Sequence, residues 1–277
     1  MKKLHFKEKY GPYALVAGGS DGLGAAFAEA IANRGLNLVL MARNKERLEA
    51  AAARLREQYS VDVIAISADL ADYEKTKTLI TALDVSIGLL VYNAAFSPIG
   101  LFENTGEEPL AVAAAVNVRT PLLLAKLLSK AMIQNRSGGI VLMSSLAGAQ
   151  GSPKLAAYAA TKAFNAVLAE GLWKELKPHG IDVVGCCAGA ILTPGYQQAE
   201  KARTIQGQTA CSQTARAQYA PGTMTACAVA EQTLKALGKG PIVIPGGINK
   251  IARFVLTRLL TRRAAIGIMS KNTGGLS

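Results

Sequence analysis

The chain has 277 residues, half of them apolar and 18% charged, with aromatic residues at only 5%. That mix fills a sizeable buried core and excludes general disorder, and so few aromatic rings suit close helix-on-sheet packing better than an all-β core. The net charge of +12 raises nucleic acid as a partner, yet the cations are spread and no zinc-finger, helix-turn-helix or RRM pattern accompanies them, so none is expected.

In chain order, the opening MKKLHFKEKY is charged and lacks the apolar h-region of a secretory signal. The uncharged run 85–102 is broken by Asn93, Pro98 and glycine, so it does not read as a membrane span. The expectation is a cytoplasmic chain. Apolar runs of strand length follow at 13–19, 36–42, 61–68, 88–95, 139–145, 182–189 and 241–246. Between them lie Ala- and Leu-rich segments with charges at helical spacing, such as NKERLEAAAARLREQY at 44–59. Near-continuous apolar strands separated by helices predict a parallel sheet covered on both faces. Right-handed crossovers then make that sheet doubly wound. The fold class is α/β: one Rossmann-type domain over 1–277, with its core at 11–246 and a parallel sheet of about seven strands.

Two regions depart from this rhythm. Residues 193–223 are polar and rich in Gln and Thr, with Tyr196 and Tyr219 among them. A loop of that length in a compact domain marks a lid over a substrate. The extension 247–277 is basic, with Ile248, Ile251, Val255 and Leu259 near one helical face beside Arg253, Arg258, Arg262 and Arg263. Packing of this helix on its own subunit or on a neighbour is expected ahead of weak contact with an anionic membrane surface. The cysteines Cys186, Cys187, Cys211 and Cys227 have no CxxC spacing, and only His5 and His179 could join them. Free thiols are expected, and no metal.

The first apolar run leads into AGGSDGLG at 17–24, which opens a helix. Gly18, Gly22 and Gly24 let the backbone turn tightly and approach a pyrophosphate, whose charge the helix N-terminus favours. The G-x-x-x-G-x-G spacing resembles the glycine loop of the short-chain dehydrogenase/reductase family, with Ala17 where relatives carry threonine. The resemblance implies that Ser20 and Leu23 also meet the cofactor. The second run ends LMARN, without a carboxylate. An acid there grips a ribose 2′-hydroxyl, whereas an arginine accommodates a 2′-phosphate. Arg43 therefore argues for NADP(H), with Asp21 in the glycine loop arguing the other way. By resemblance, Asp69 of SADL (67–70) lies against the adenine, and Asn93 of YNAA (92–95) matches the family's N-N-A-G.

The fifth run, GGIVLMSS, ends at Ser144 and Ser145; Tyr158 lies thirteen residues beyond Ser145, and Lys162 one turn later. Asn117 sits in the helical segment AVAAAVNVRTPLLLAKLL. This Asn-Ser-Tyr-Lys order is that of the same family, and the resemblance covers 11–246. Tyrosine's reference pKa near 10 is too high for an efficient base at neutral pH, and a lysine ammonium one turn away, together with the positive nicotinamide of the oxidised complex, is expected to lower it. The resemblance makes Tyr158 the acid/base and Ser145 the donor to the carbonyl oxygen, with Ser144 still open for that role. Lys162 would also bind the nicotinamide ribose, and Asn117 would anchor a water relaying protons to Lys162. Ala188-Gly189 replaces the family's P-G, which loosens the turn facing the carboxamide; Ile191 and Thr193 would still serve there. The stretches KYGPYALVAGGSDGLG and GLNLVLMARN are similar to a branch with keto-acyl and hydroxysteroid reductases. The resemblance implies an NADP-dependent oxidoreductase acting on a carbonyl or secondary alcohol, as a homodimer or homotetramer. The alternative is a non-catalytic NADP-binding or membrane-associated protein on the same fold.

Overall fold

The apolar runs become parallel strands: β1 (Tyr13–Ala17), β2 (Asn37–Ala42), β3 (Val63–Ser67), β4 (Ile87–Tyr92), β5 (Gly138–Ser145) and β6 (Ile181–Ala188). After the short strands β7 (Ile191–Leu192) and β8 (Met224–Thr225) of a separate ribbon comes β9 (Ile242–Val243). The computed structural model describes residues 3–193 and 221–273. Strand order in the main sheet is β3-β2-β1-β4-β5-β6-β9, every pairing parallel. All six residues of β4 are buried, as a strand covered on both faces requires.

Local chemistry trims the strands. β1 stops at Ala17 because Gly18 turns to φ +79° and donates its N–H to the Met41 carbonyl at 2.7 Å. β4 stops at Tyr92, beyond which the N–H groups of Asn93 and Ala94 both donate to the Ala17 carbonyl, at 3.0 and 2.8 Å. β9 is confined between Pro241 and Pro245, since proline has no N–H to give a ladder.

Helices α1 (Lys3–Tyr10), α2 (Gly22–Ala32), α3 (Lys45–Tyr59), α4 (Tyr73–Thr81), α5 (Glu107–Ala114), α6 (Thr120–Asn135), α7 (Ala156–Leu176) and α8 (Ala226–Ala236) cover the sheet and its edges. One core layer gathers Phe27, Ile31, Leu48, Leu55 and Leu234 from α2, α3 and α8. The opposite layer gathers Leu124, Leu128, Met132, Ala169 and Leu176 from α6 and α7. The Arg34 guanidinium forks onto Glu231 of α8 at 2.9 and 2.8 Å, tying the chain just beyond α2 to α8. A π-turn, Ala115–Arg119, joins α5 to α6. The resulting helix 107–135 is long and apolar enough to cross a membrane by length and composition. Here its lower half buries Leu124, Leu128 and Met132, and Thr120 Oγ1 donates to the Leu70 carbonyl at 2.7 Å, so it is built as a core helix.

The chain winds outward from β1 to β3 and then returns to β4 beside β1. At that reversal the loops diverge, opening a cleft along the C-terminal edge of the sheet. The extension forms α9 (Gly247–Phe254), a π-turn at Val255–Leu259 and α10 (Arg262–Thr273). Among the described residues, Ile248, Ile251, Phe254 and Leu259 of this extension stand exposed. Of the expected lid, Thr193 and 221–223 are described; Tyr196 and Tyr219 lie outside the described residues.

Candidate active site

The glycine loop is shaped by contacts that tolerate no side chain. A Cβ on Gly24 would fall 1.7 Å from the Gly18 carbonyl oxygen, and one on Gly18 would meet Ala94 at 2.9 Å. The first turn of α2 therefore closes directly on the loop, leaving backbone and a helix N-terminus to face an anion. Asp21 caps α2, its Oδ1 accepting from the Gly22 N–H at 2.6 Å while Oδ2 pairs with Arg47 at 3.5 Å. The pair is exposed, so both charges stand at this end of the loop.

The cleft has a volume of about 1050 Å³. Gly18, Ser20, Gly22 and Leu23 line one end, with Arg43, Asp69 and Asn93 around the adjoining rim. Asn93 Nδ2 donates to the Gly18 carbonyl at 3.3 Å, locking β4 to the loop. Asp69 Oδ1 accepts from the Ala71 N–H at 3.0 Å, which fixes the turn after β3. Arg43 and Arg47 both stand exposed at this end of the cleft. Sequence reasoning missed Arg47, although Asn44 and the spacing carry the signal. Asn44 caps α3, accepting from the Arg47 N–H at 2.7 Å, so a helix starting there sets Arg47 one turn beyond Arg43.

At the other end the cleft meets Ser145, Tyr158 and Lys162, with Ile191 and Thr193 across from them. The two serines separate cleanly. Ser144 is buried and donates to the Lys162 carbonyl at 2.7 Å, so it braces α7. Ser145 ends β5 one residue further, facing the other way, and its hydroxyl hydrogen-bonds the Tyr158 phenol. It also accepts from the Ala147 N–H at 3.2 Å, which holds the hydroxyl in place. Lys162 is 3% exposed, its Nζ donating to the Met143 carbonyl at 3.0 Å and lying 5.5 Å from the Tyr158 ring centroid.

In the protein by itself, burial dominates titration at this end. Burial pushes the Tyr158 phenol above its ordinary value, with the Ser145 hydrogen bond opposing it. Burial likewise pulls the Lys162 ammonium down to about 8, which the neighbouring Cys186 partly opposes. Desolvation wins because both groups sit between α7 and the strand ends, out of bulk water. At neutral pH the pair is a protonated phenol beside a protonated amine, which is an arrangement suited to giving a proton away.

Asn117 does not line the cleft. It is fully buried in the π-turn, where Oδ1 accepts from the Phe96 N–H at 2.8 Å and Nδ2 donates to the Phe96 carbonyl at 2.7 Å. Nδ2 also reaches Thr161 Oγ1 at 3.1 Å, and the Asn117 carbonyl accepts from Asn165 Nδ2 at 2.9 Å. The residue thereby straps the loop after β4 to α7. Its place in a π-turn follows a common habit of such turns at sites of chemistry. The turn 188–190 is held without proline. Asn249, buried, packs against Gly189, where a Cβ would fall 2.7 Å from its Oδ1, and donates to the Gly222 and Pro245 carbonyls at 2.9 Å. The β7–β8 ribbon pins the next residues. Asn249 was also not singled out from the sequence, since only the fold brings it to β6. Among the described residues no cluster of His, Cys, Asp and Glu could hold a metal.

With this geometry in hand, comparison with known proteins is specific. A family profile described as short chain dehydrogenase matches residues 12–204. The chain is 31% identical over 195 residues to a 7beta-hydroxysteroid dehydrogenase of Clostridium sardiniense, covering 70% of this chain and 74% of that one. It is 33% identical over 198 residues to hydroxysteroid dehydrogenase-like protein 1 of Gallus gallus, covering 69% of this chain but only 59% of the chicken protein's length. Among solved structures, a 7beta-hydroxysteroid dehydrogenase superposes with a TM-score of 0.86 at 27% identity, over 95% of this chain and 98% of that one. A short-chain dehydrogenase from Sphingobium yanoikuyae in complex with NADPH gives 0.73 at 30% identity, over 93% and 95%.

Proposed function

The chain belongs to the short-chain dehydrogenase/reductase family, and from that premise we propose that it is an NADP(H)-dependent oxidoreductase that reduces a carbonyl to a secondary alcohol. The observation that carries this reading is the convergence of Ser145, Tyr158 and Lys162 on one end of a cleft whose other end presents a side-chain-free glycine loop. The cofactor end suits NADP(H): the loop and the α2 N-terminus would hold the pyrophosphate, and Arg43 and Arg47 would meet the 2′-phosphate. Asn93, Ile191 and Thr193 would border the nicotinamide. When bound, NADPH supplies the hydride. The NADPH complex of the Sphingobium relative supports this choice of cofactor.

The chain's own residues then manage the oxygen. Ser145 and Tyr158 line the cleft side by side, and both hydroxyls would donate to a substrate carbonyl oxygen seated against them. As negative charge gathers there, Tyr158 passes its proton to the oxygen. Its raised affinity for that proton keeps the phenol protonated until charge builds on the substrate oxygen. Lys162, cationic below about 8, stabilises the phenolate left behind. Asn117 is a positioning residue, holding the β4 loop against α7. Phe96, Val112 and Met143 give the substrate side an apolar wall. Together with the hydroxysteroid dehydrogenases among the relatives, that wall supports a ketone flanked by apolar bulk. The reading includes a homodimer or homotetramer in the cytoplasm, where a reducing milieu suits the free thiols of Cys186, Cys187 and Cys227.

Titration of the protein with NADPH and NADH, followed by nucleotide fluorescence, tests the cofactor. NADPH is expected to bind at least about tenfold more tightly, and Arg43→Ala with Arg47→Ala should erase the gap. Equal binding of both nucleotides by the wild type would refute the NADP assignment. A ketone panel monitored by NADPH loss, with Tyr158→Phe inactive, tests the chemistry.

A further inference from the structure

The basic extension is the one prominent feature that this reading leaves without a task. Its seat is firm. Asn249 is buried and bonded to the Gly222 and Pro245 carbonyls, Arg253 reaches the Cys187 thiol, and Arg262 Nη1 donates to the Ala149 carbonyl at 2.9 Å. From that seat α9 turns an apolar stripe outward at helical spacing: Ile248 is 57% exposed, Ile251 66% and Phe254 56%. Half of the large apolar side chains exposed among the described residues belong to this short segment, with Leu259, Ile266 and Ile268 completing the set. Lys250, Arg258 and Arg263 stand exposed beside them. Beyond Glu231 the chain has no Asp or Glu at all.

We propose that α9, α10 and the turn between them form a docking face for an anionic lipid surface. The apolar side chains would enter the headgroup boundary while the cations meet lipid phosphates, the helices lying on the membrane rather than crossing it. Charge complementarity selects this occupant. A second copy joined about a two-fold axis through this face would set the same cations against themselves, with no carboxylate in the segment to offset them. An anionic bilayer offsets them all. Because Arg262 is tied to Ala149, four residues past Ser145, the docking face lies beside the reacting end of the cleft. An apolar ketone dissolved in the bilayer would thus meet the protein next to its site.

Co-sedimentation of the full chain with vesicles of phosphatidylcholine, with and without phosphatidylglycerol, tests this. Binding is expected only with phosphatidylglycerol and should weaken as salt is raised. Lys250→Glu with Arg258→Glu should reduce it by roughly tenfold or more, and Ile251→Asp with Phe254→Asp should do the same. All these positions are surface residues outside the cofactor cleft, so retained NADPH binding reports that the variants fold. Failure of the wild type to sediment, or equal sedimentation with both vesicle types, would overturn the proposal. So would analytical ultracentrifugation in which Ile251→Asp with Phe254→Asp splits an oligomer that the wild type forms, since a second copy would then cover this face. Loss of NADPH binding by the wild type itself would sink the enzymatic reading and leave the vesicle result standing on its own.

Discussion

Lys162 carries a conflict that its surroundings make measurable. It is buried, yet its ammonium is pulled down only to about 8 and so remains charged at neutral pH. As pH passes about 8 the amine discharges, so kcat/KM for ketone reduction is expected to fall above that point, as a pH profile of the wild type would reveal. Stability should move the opposite way. Between about 8 and the ordinary 10.5, the unfolded chain holds a proton that the folded lysine has released, so the unfolding free energy rises with pH in that window. A depression of this size corresponds to something on the order of 3 kcal/mol. Lys162→Met should therefore be inactive yet more stable at pH 7, and its denaturant titrations between 8 and 10 should lack the upward contribution that Lys162 makes in the wild type. The identities of Ser145, Tyr158 and Lys162 were legible in the sequence because their spacing along β5 and α7 is itself the motif. The direction in which Tyr158 titrates was not. It depends on how much water the strand ends exclude, and burial is a property of the assembled layers.

The π-turn at Ala115–Arg119 shows how one element serves both packing and the site. Widening the helix by a residue turns Asn117 inward, where its amide makes bonds to Phe96 and Thr161 instead of facing solvent. Asn117→Ala would leave the Phe96 backbone groups unpaired, and a loss of about 2–3 kcal/mol is expected in chemical denaturation. Ketone kcat should drop as well, because the loop that forms the substrate wall loses its strap. The sequence placed Asn117 on a helix correctly, yet a helical period cannot reveal a π-turn. Arg47 was hidden for a related reason. It joins Arg43 only once α3 is known to begin after Asn44, and element boundaries are the least legible part of a sequence. The strands of the main sheet, by contrast, were legible in existence and order, since continuous apolar runs between glycine and proline have few other uses; their ends were not, and the short β7 and β8 were not anticipated.

Across the molecule, the sheet separates two helical layers, and within one of them α2 and α8 are fastened at the rim. Arg34, just beyond α2, grips Glu231 on α8 and also donates to the Ala30 carbonyl at 2.6 Å. The guanidinium holds the Glu231 carboxyl below its usual value, against a smaller opposing push from burial. A depressed carboxylate contributes stability that is present above its unfolded value and lost as pH falls through the folded one. Arg34→Met should lower Tm at pH 7 and remove this share of the acid sensitivity, which thermal scans from pH 7 down to about 3 would register. The doubly wound arrangement was evident from the alternation of runs and helical patterns. The outward face of the extension was not, because amphipathic spacing tells which side chains share a face and leaves open what that face meets.

The β7–β8 ribbon has a further consequence. It pairs Ile191 with Met224 and Leu192 with Thr225, so the chain leaves and re-enters the body of the protein at neighbouring points. Doubling the length of the segment between those points adds only about 0.6 kcal/mol of closure entropy. The ends of the sheet and the proton-donating pair would not register the change. Exchanging the expected lid in one contiguous piece is therefore predicted to leave NADPH binding unchanged, as nucleotide titration of such a chimera would check.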